Sequence, residues 1–211
     1  MNSKDSKPGL ISWIGGKRPV PAPPKQGSNL SQLPQKAVVF IGPMAAGKTT
    51  IGKTVAKELK IPFIDTDARI VHAHGQISDI FSNQGEAEFR RLEASVVKRE
   101  LAEPGCRIVA LGGGAILSSQ TRKILKNHPV ILLMTSEHAI TRDGINLSKR
   151  PLLKKDPGAW TKILQQRSHL YKELASIEFR TDINSSQAVK TAVIEWLKAG
   201  RPDWSNRNEK L

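Results

Sequence analysis

The sequence is short of several things, and each shortage excludes something. It holds one cysteine, Cys106, so neither an intramolecular disulfide framework nor a cysteine-rich zinc site can be built. No run comes near the roughly 18 apolar residues of a membrane-spanning helix. The N-terminus has no compact apolar segment of the kind that heads a secretory signal. Together these absences make the cytoplasm the expected compartment. Acidic residues are also scarce: 19 Asp and Glu stand against 33 Lys and Arg, a formal charge of +14. Such a surplus suits a polyanion, whether nucleic acid, an acidic membrane surface or small anionic substrates, and the total alone does not choose.

What is present divides the chain in three. Its 211 residues, 38% of them hydrophobic, suffice for one ordinary domain with a real core. Residues 1–36 hold six of the 13 prolines and six basic residues against Asp5 alone, and sustain no helical or strand period. They read as a mobile basic arm with an extended backbone. Residues 37–198 alternate buried strands with helices. Strands are expected at Ala37–Ile41, Pro62–Ile64, Arg107–Leu111, Val130–Met134 and Ile177–Arg180. Helices are expected at Lys48–Leu59, Glu86–Leu101, Gly158–Leu174 and Gln187–Leu197. Short apolar strands separated by helices imply an α/β fold with a parallel sheet covered on both faces. Residues 199–211 are polar and read as a tail.

Chemistry begins at Gly42-Pro-Met-Ala-Ala-Gly47-Lys48-Thr49, which matches the phosphate-loop pattern G-x-x-x-x-G-K-[ST] between a buried strand and a helix. The glycines let the backbone wrap phosphate oxygens, and the helix start aims free N–H groups and the positive dipole end at the anion. Lys48 can reach terminal phosphates, and the Thr49 hydroxyl can ligate Mg²⁺. Nucleotide binding follows, but not the phosphate acceptor.

Four further features narrow the acceptor. Asp65-Thr66-Asp67 follows the second strand. If extended, it puts both carboxylates on one side, facing the ligand cleft at the strand ends; the alternative is a helix N-cap and a first-turn acid. Arg90 and Glu93 lie three apart on a helix, so Glu93 can orient a guanidinium suited to a carboxylate, or the two form an ordinary surface ion pair. Gly112-Gly113-Gly114 follows a strand and permits close backbone approach to a ligand, or is a plain turn. Lys149-Arg150-Pro151-Leu152-Leu153 ends a polar stretch that reads as a lid whose arginine neutralises transition-state charge on closure, or as a basic loop.

Taken in order, Gly42–Lys53, Asp65–Asp67, Phe89-Arg90-Arg91-Leu92-Glu93, Leu111–Gly114 and Arg150–Leu153 resemble the motifs of the shikimate kinase family. Arg167-Ser-His-Leu-Tyr171 is similar to that family's R-x-P-L-Y segment. The resemblance covers about residues 37–198. It implies a P-loop, nucleoside-monophosphate-kinase-like fold of three layers: a central parallel five-stranded sheet in the order 2-3-1-4-5, helices on both faces and a mobile lid. It also implies transfer of the ATP γ-phosphoryl group to the 3-hydroxyl of shikimate, with Mg²⁺. Lys48, Asp67 and Arg150 would then be catalytic, Asp67 holding the reacting diol. ATP would contact Gly42, Ala45, Ala46, Gly47, Lys48, Thr49, Thr50, Arg142, Arg150 and, in the segment Asp182–Ala188, Gln187. Shikimate would contact Asp67, Arg90, Gly112, Gly113, Gly114 and Arg167, with Glu93 supporting Arg90. Thr49 and Asp65 would serve the metal. A monomer is expected, with no nucleic-acid or membrane partner.

Two positions depart from the family pattern. Ala45 stands where glycine is common, which is tolerable only at negative φ. His169 replaces a proline beside Arg167, which would loosen the local turn. A gluconate-type sugar-acid kinase is the nearest rival, followed by a non-catalytic nucleotide-binding relative. Binding of nucleic acid by the arm has only Trp13 as aromatic support. His72 and His74 lack a third metal ligand, and Cys106 reads as structural. Phe81 and Phe89 line a pocket or pack. Tyr171 and Trp196 read as packing residues, and Trp160 has no evident role.

Overall fold

The computed structural model describes residues 33–142 and 158–200. Strand β1 (Val38–Ile41) is buried along its whole length. Its alternation still decides which helices it meets. Val38 and Phe40 pack with Ile51, Val55 and Leu59 of α1 (Lys48–Leu59) and with Val193 and Leu197 of α7 (Ser186–Lys198). Ala37, Val39 and Ile41 point the other way. They meet Val97 and Leu101 of α3 (Ile77–Ala102), Leu125 of α4 (Ser119–Leu125) and Tyr171 and Leu174 of α6 (Ala159–Leu174). One apolar strand thus carries two cores, which makes the fold three-layered.

Around β1 the sheet adds β2 (Phe63–Asp65), β3 (Ile108–Ala110), β4 (Val130–Met134) and β5 (Ile177–Arg180). The order is β2-β3-β1-β4-β5, and every pairing is parallel. The order reverses at β1, between β3 and β4, so the loops after β1 and β3 splay apart. That crevice is where open α/β sheets bind ligands. The strand order and the helix-covered faces agree with expectation.

The expected strands all form, within a residue or two at their ends. Lys48–Leu59 is reproduced to the residue, stopped by Lys60 in a left-handed conformation (φ 56°) whose N–H reaches the carbonyls of Ala56 and Lys57. Four features went unread in the sequence: α2 (Thr66–His74), the first third of α3, α4 and α5 (Glu137–Arg142). α2, α4 and α5 are too short for a period to stand out, and end signals place α2 and α4. The Asp65 carboxylate caps α2 and the Ser118 hydroxyl caps α4. Gly85 (φ 83°, ψ 170°) breaks α3 into two helical pieces, so the expected start at Glu86 marks the second piece only.

Residues 33–36, assigned above to the arm, lie against the domain. Leu33 packs on the α1–α7 core, and Lys36 donates to the Asn127 carbonyl at 2.8 Å. The rest of the arm, residues 143–157, which include the expected lid ending at Leu153, and the tail from 201 lie outside the described residues. Among the described residues no helix is long and apolar enough to cross a membrane.

Candidate active site

The phosphate loop joins β1 to α1. Gly42 (φ 141°) begins it, and a Cβ there would sit 2.0 Å from the Leu133 carbonyl oxygen, so only glycine fits against β4. Gly47 (φ 81°) caps α1 with no side-chain bond, leaving the first N–H groups of the helix for an anion. The Lys48 ammonium donates to the carbonyls of Gly42 (2.9 Å) and Pro43 (2.8 Å), which keeps its charge at the loop. Ala45, Gly47, Lys48, Thr49 and Thr50 line a pocket of about 320 Å³ with Asp65, Asp67 and Gly112. Ala46 instead turns its side chain into the α1–α7 core. Ala45 is a correction: its φ is +66°, left-handed, where negative φ was thought necessary. A Cβ in that region costs about 1–2 kcal/mol, so the surroundings must hold it there.

Asp65-Thr66-Asp67 is not extended, which is a second correction. Asp65 ends β2 and caps α2, accepting from the N–H groups of Asp67 (3.0 Å) and Ala68 (3.2 Å), and Asp67 sits in the first helical turn. The capping alternative holds, yet the acids still reach the cleft. The free side of Asp65 accepts the Thr49 hydroxyl at 2.6 Å. Thr66, fully buried, accepts from Gly112 N–H at 3.2 Å and donates to the Ala110 carbonyl, tying α2 to the end of β3.

A second pocket, of about 250 Å³, adjoins the first; Met44, Asp67, Gly112 and Gly113 line both. Arg90, Glu93, Gly114, Arg167, Phe81 and Phe89 are among the residues that form the rest of its wall. Arg90 donates to Glu93 at 2.7 Å and to Glu86 at 3.0 Å, and its guanidinium lies 5.1 Å from the Phe89 ring centre. Burial works to lower the Arg90 pKa, but Glu93 and Glu86 outweigh it and the net shift is upward. Burial raises the Glu93 carboxyl above the usual range although Arg90 pulls it down. This is no surface ion pair, since Glu93 is only 2% exposed.

The triple glycine makes room for side chains. A Cβ on Gly112 would lie 2.6 Å from oxygens of both Asp67 and Glu93, and one on Gly114 would lie 2.1 Å from Arg90 Nη1. Because Arg90 is tethered to two glutamates, Gly114→Ala must displace its guanidinium. The expected result is a phosphate-acceptor KM raised about tenfold, from one weakened charge-assisted bond, with the nucleotide KM nearly unchanged and Tm lowered by the disturbed buried pair. Steady-state kinetics with a melting curve checks it.

Glu93 also gives a pH prediction. A carboxyl whose folded pKa is raised holds its proton more tightly in the folded state. Its contribution to stability therefore falls as pH rises from about 4.5, the unfolded value, through the folded value. Glu93→Gln removes that slope. The Tm of the wild type minus that of the variant should decline as pH rises above about 4.5; a constant difference contradicts it.

Arg167 and Tyr171 share one anchor. Arg167 donates to the Gly113 carbonyl at 3.2 Å, and the Tyr171 hydroxyl donates to the same oxygen. Burial pushes the Tyr171 phenol up to about 12, against the pull of Arg167, so it stays a donor. Tyr171 therefore braces the pocket as well as packing, a role its spacing from Arg167 on one helical face hints at. His169 does not loosen the segment. α6 runs unbroken through Arg167 and Tyr171, where a proline would have cost a helical hydrogen bond. Phe81 and Phe89 both line the pocket and pack, ring centres 4.8 Å apart. Trp160 was also missed: its indole donates to the Met44 carbonyl in the phosphate loop at 3.2 Å.

Arg150 lies outside the described residues. Arg142 ends α5, and its side chain is likewise outside them. Gln187 is exposed in the first turn of α7 and lines neither pocket. Among the described residues no group of three or more His, Cys, Asp or Glu is placed to hold a metal ion.

This geometry can be compared with known proteins. The family model described as "Shikimate kinase" matches residues 44–198. A shikimate kinase of Streptomyces avermitilis is 42% identical over 164 residues, 76% of this chain and 95% of that protein. One of Rhodococcus jostii is 41% identical over 162 residues, covering 75% and 96%. The solved shikimate kinase of Acinetobacter baumannii in complex with shikimate superposes with a TM-score of 0.74 at 28% identity, covering 80% of this chain and 96% of that one. With the motifs, the strand order and the paired pockets, these likenesses agree on one conclusion: the chain belongs to the shikimate kinase family.

Proposed function

We propose that this protein transfers the γ-phosphoryl group of ATP to the 3-hydroxyl of shikimate, giving ADP and shikimate 3-phosphate. The observation that carries this is the meeting of two pockets at Asp67. One is floored by the phosphate loop, and the other holds Arg90 and Arg167 in position for a carboxylate. Shikimate has one carboxylate and vicinal hydroxyls. With the carboxylate against the arginines, its ring hydroxyls point toward Asp67 and the loop.

In the reaction the bond from the γ-phosphorus to the bridging oxygen breaks and ADP leaves. A new P–O bond forms to the shikimate oxygen, whose proton leaves along its hydrogen bond to the Asp67 carboxylate and passes to water. Such a transfer is mainly positioning and charge neutralisation. Asp67 orients the hydroxyl and accepts its hydrogen bond. Lys48 and the N–H groups at the start of α1 bind the phosphates, Glu93 sets the angle of Arg90, and Gly112 to Gly114 contribute backbone contacts. Arg142, Arg150 and Gln187 are proposed as nucleotide contacts on the family pattern alone, Arg150 stabilising transition-state charge.

Mg²⁺ fits the residues present. The Thr49 hydroxyl and the Asp65 carboxylate are hard oxygen donors 2.6 Å apart beside the loop. Mg²⁺ usually takes one or two carboxylates and completes its shell with water and substrate phosphates, so a sparse protein donor set suits it. Thr49 and Asp65 would hold it, and it would supply neutralisation of phosphate charge. Action as a monomer is proposed on the family pattern alone.

A gluconate-type acceptor has less support: it carries a carboxylate too, but the Arg90–Glu93 pair, the triple glycine and Arg167 lie in segments that resemble shikimate kinase motifs, and the family model covers residues 44–198. The test is the product: phosphorus NMR of the reaction mixture should show a single new monoester on the 3-oxygen of shikimate. A monoester at another oxygen, or none, overturns the assignment.

A further inference from the structure

Trp160 stands at the start of α6, only 3% exposed, in an apolar cluster with Ile140, Met44 and Ala45. Its indole N–H is spent on the Met44 carbonyl, at 3.2 Å. That carbonyl belongs to the peptide plane joining Met44 to Ala45. The φ of Ala45 is the rotation of its Cα against this same plane, and it is +66°. A hydrogen bond that fixes the plane therefore acts directly on the strained torsion. Packing of the indole near the Ala45 side chain acts from the other side. Met44 and Ala45 also line the pocket floored by the phosphate loop. A glycine at position 45 would take this conformation at no steric cost, whereas an alanine needs a brace.

We propose that Trp160 is a positioning residue for phosphoryl transfer, holding the Met44–Ala45 peptide so that the phosphate loop is ready for the nucleotide. This rests on the reading of that loop as the ATP site. Trp160 does not itself touch either substrate; it acts through Met44 and Ala45. A purely structural tryptophan would, when replaced, weaken both substrates together or neither.

The test is calorimetric titration of the full chain with ATP and, separately, with shikimate, alongside the KM of each. Trp160→Phe keeps most of the apolar volume and removes the N–H. Losing one neutral hydrogen bond should weaken ATP binding and raise its KM about three- to tenfold, with shikimate values within about twofold. Trp196→Phe makes the same atomic change in the α1–α7 core and should leave both substrates within about twofold. If Trp160→Phe does not fold, Trp160→Met, also apolar and without a donor, takes its place with the same expectation. ATP affinity unchanged in a folded Trp160 variant overturns the proposal, and so does equal weakening of both substrates. A wild type that binds no ATP is a different failure: it overturns the function itself, and this role with it.

Discussion

Asp67→Asn should lower kcat about a hundred- to ten-thousandfold while nucleotide affinity stays within about twofold, the range set by losing a positioned proton acceptor. The substitution preserves shape but replaces an acceptor oxygen with an amide donor. Asp67 lines both pockets, so it is the side chain placed to meet the hydroxyl and the phosphoryl group together. A Cβ on Gly112 would come within 2.6 Å of its Oδ1, so the backbone closes directly over the carboxylate and leaves little room to reorient. The groups proposed for the phosphates, by contrast, are Lys48 and the start of α1, which the substitution does not touch. Turnover and calorimetric titration of ATP on the same preparation check the split. Normal turnover contradicts the role.

Arg167→Ala should raise the shikimate KM by about fiftyfold or more, with the ATP KM within about threefold, because a buried guanidinium–carboxylate pair is lost outright. Arg167 is only 8% exposed and held to the Gly113 carbonyl, so the substrate meets an arginine already in place. Arg167→Lys keeps the charge without the planar fork and should fall between the two. A melting curve separates this from destabilisation, since removing a long buried side chain also lowers Tm. Equal rises in both KM values contradict the carboxylate role.

Much of this was legible in the residues. The phosphate loop is legible because local backbone chemistry dictates it: Gly42 must clear the Leu133 carbonyl, and Gly47 must begin a helix at positive φ. β1, β3 and β4 are legible because each runs apolar throughout, whereas the edge strands β2 and β5 are only partly buried and carry Asp65, Glu178 and Arg180. What stayed hidden depends on long-range contact. The Trp160 indole meets a carbonyl 116 residues away, and the Tyr171 hydroxyl meets one 58 residues away. No local pattern carries such pairings. Asp65 shows the opposite case. Its capping role and its cleft role use different oxygens, so a choice between them was never required. Ala45 shows a local rule overridden: a left-handed alanine is disfavoured by its own sterics and retained by its neighbours.

The +14 charge narrows in the same way. Lys48, Arg90 and Arg167 come together around two adjoining pockets. Small anionic substrates thus account for these three of the basic residues.

The measurement that bears most directly on the whole account is ADP release from ATP with shikimate, with gluconate and with no acceptor. Shikimate-dependent ADP release, with gluconate at the level of the acceptor-free control, is the predicted result. Equal release in all three, or release that depends on gluconate, would contradict it.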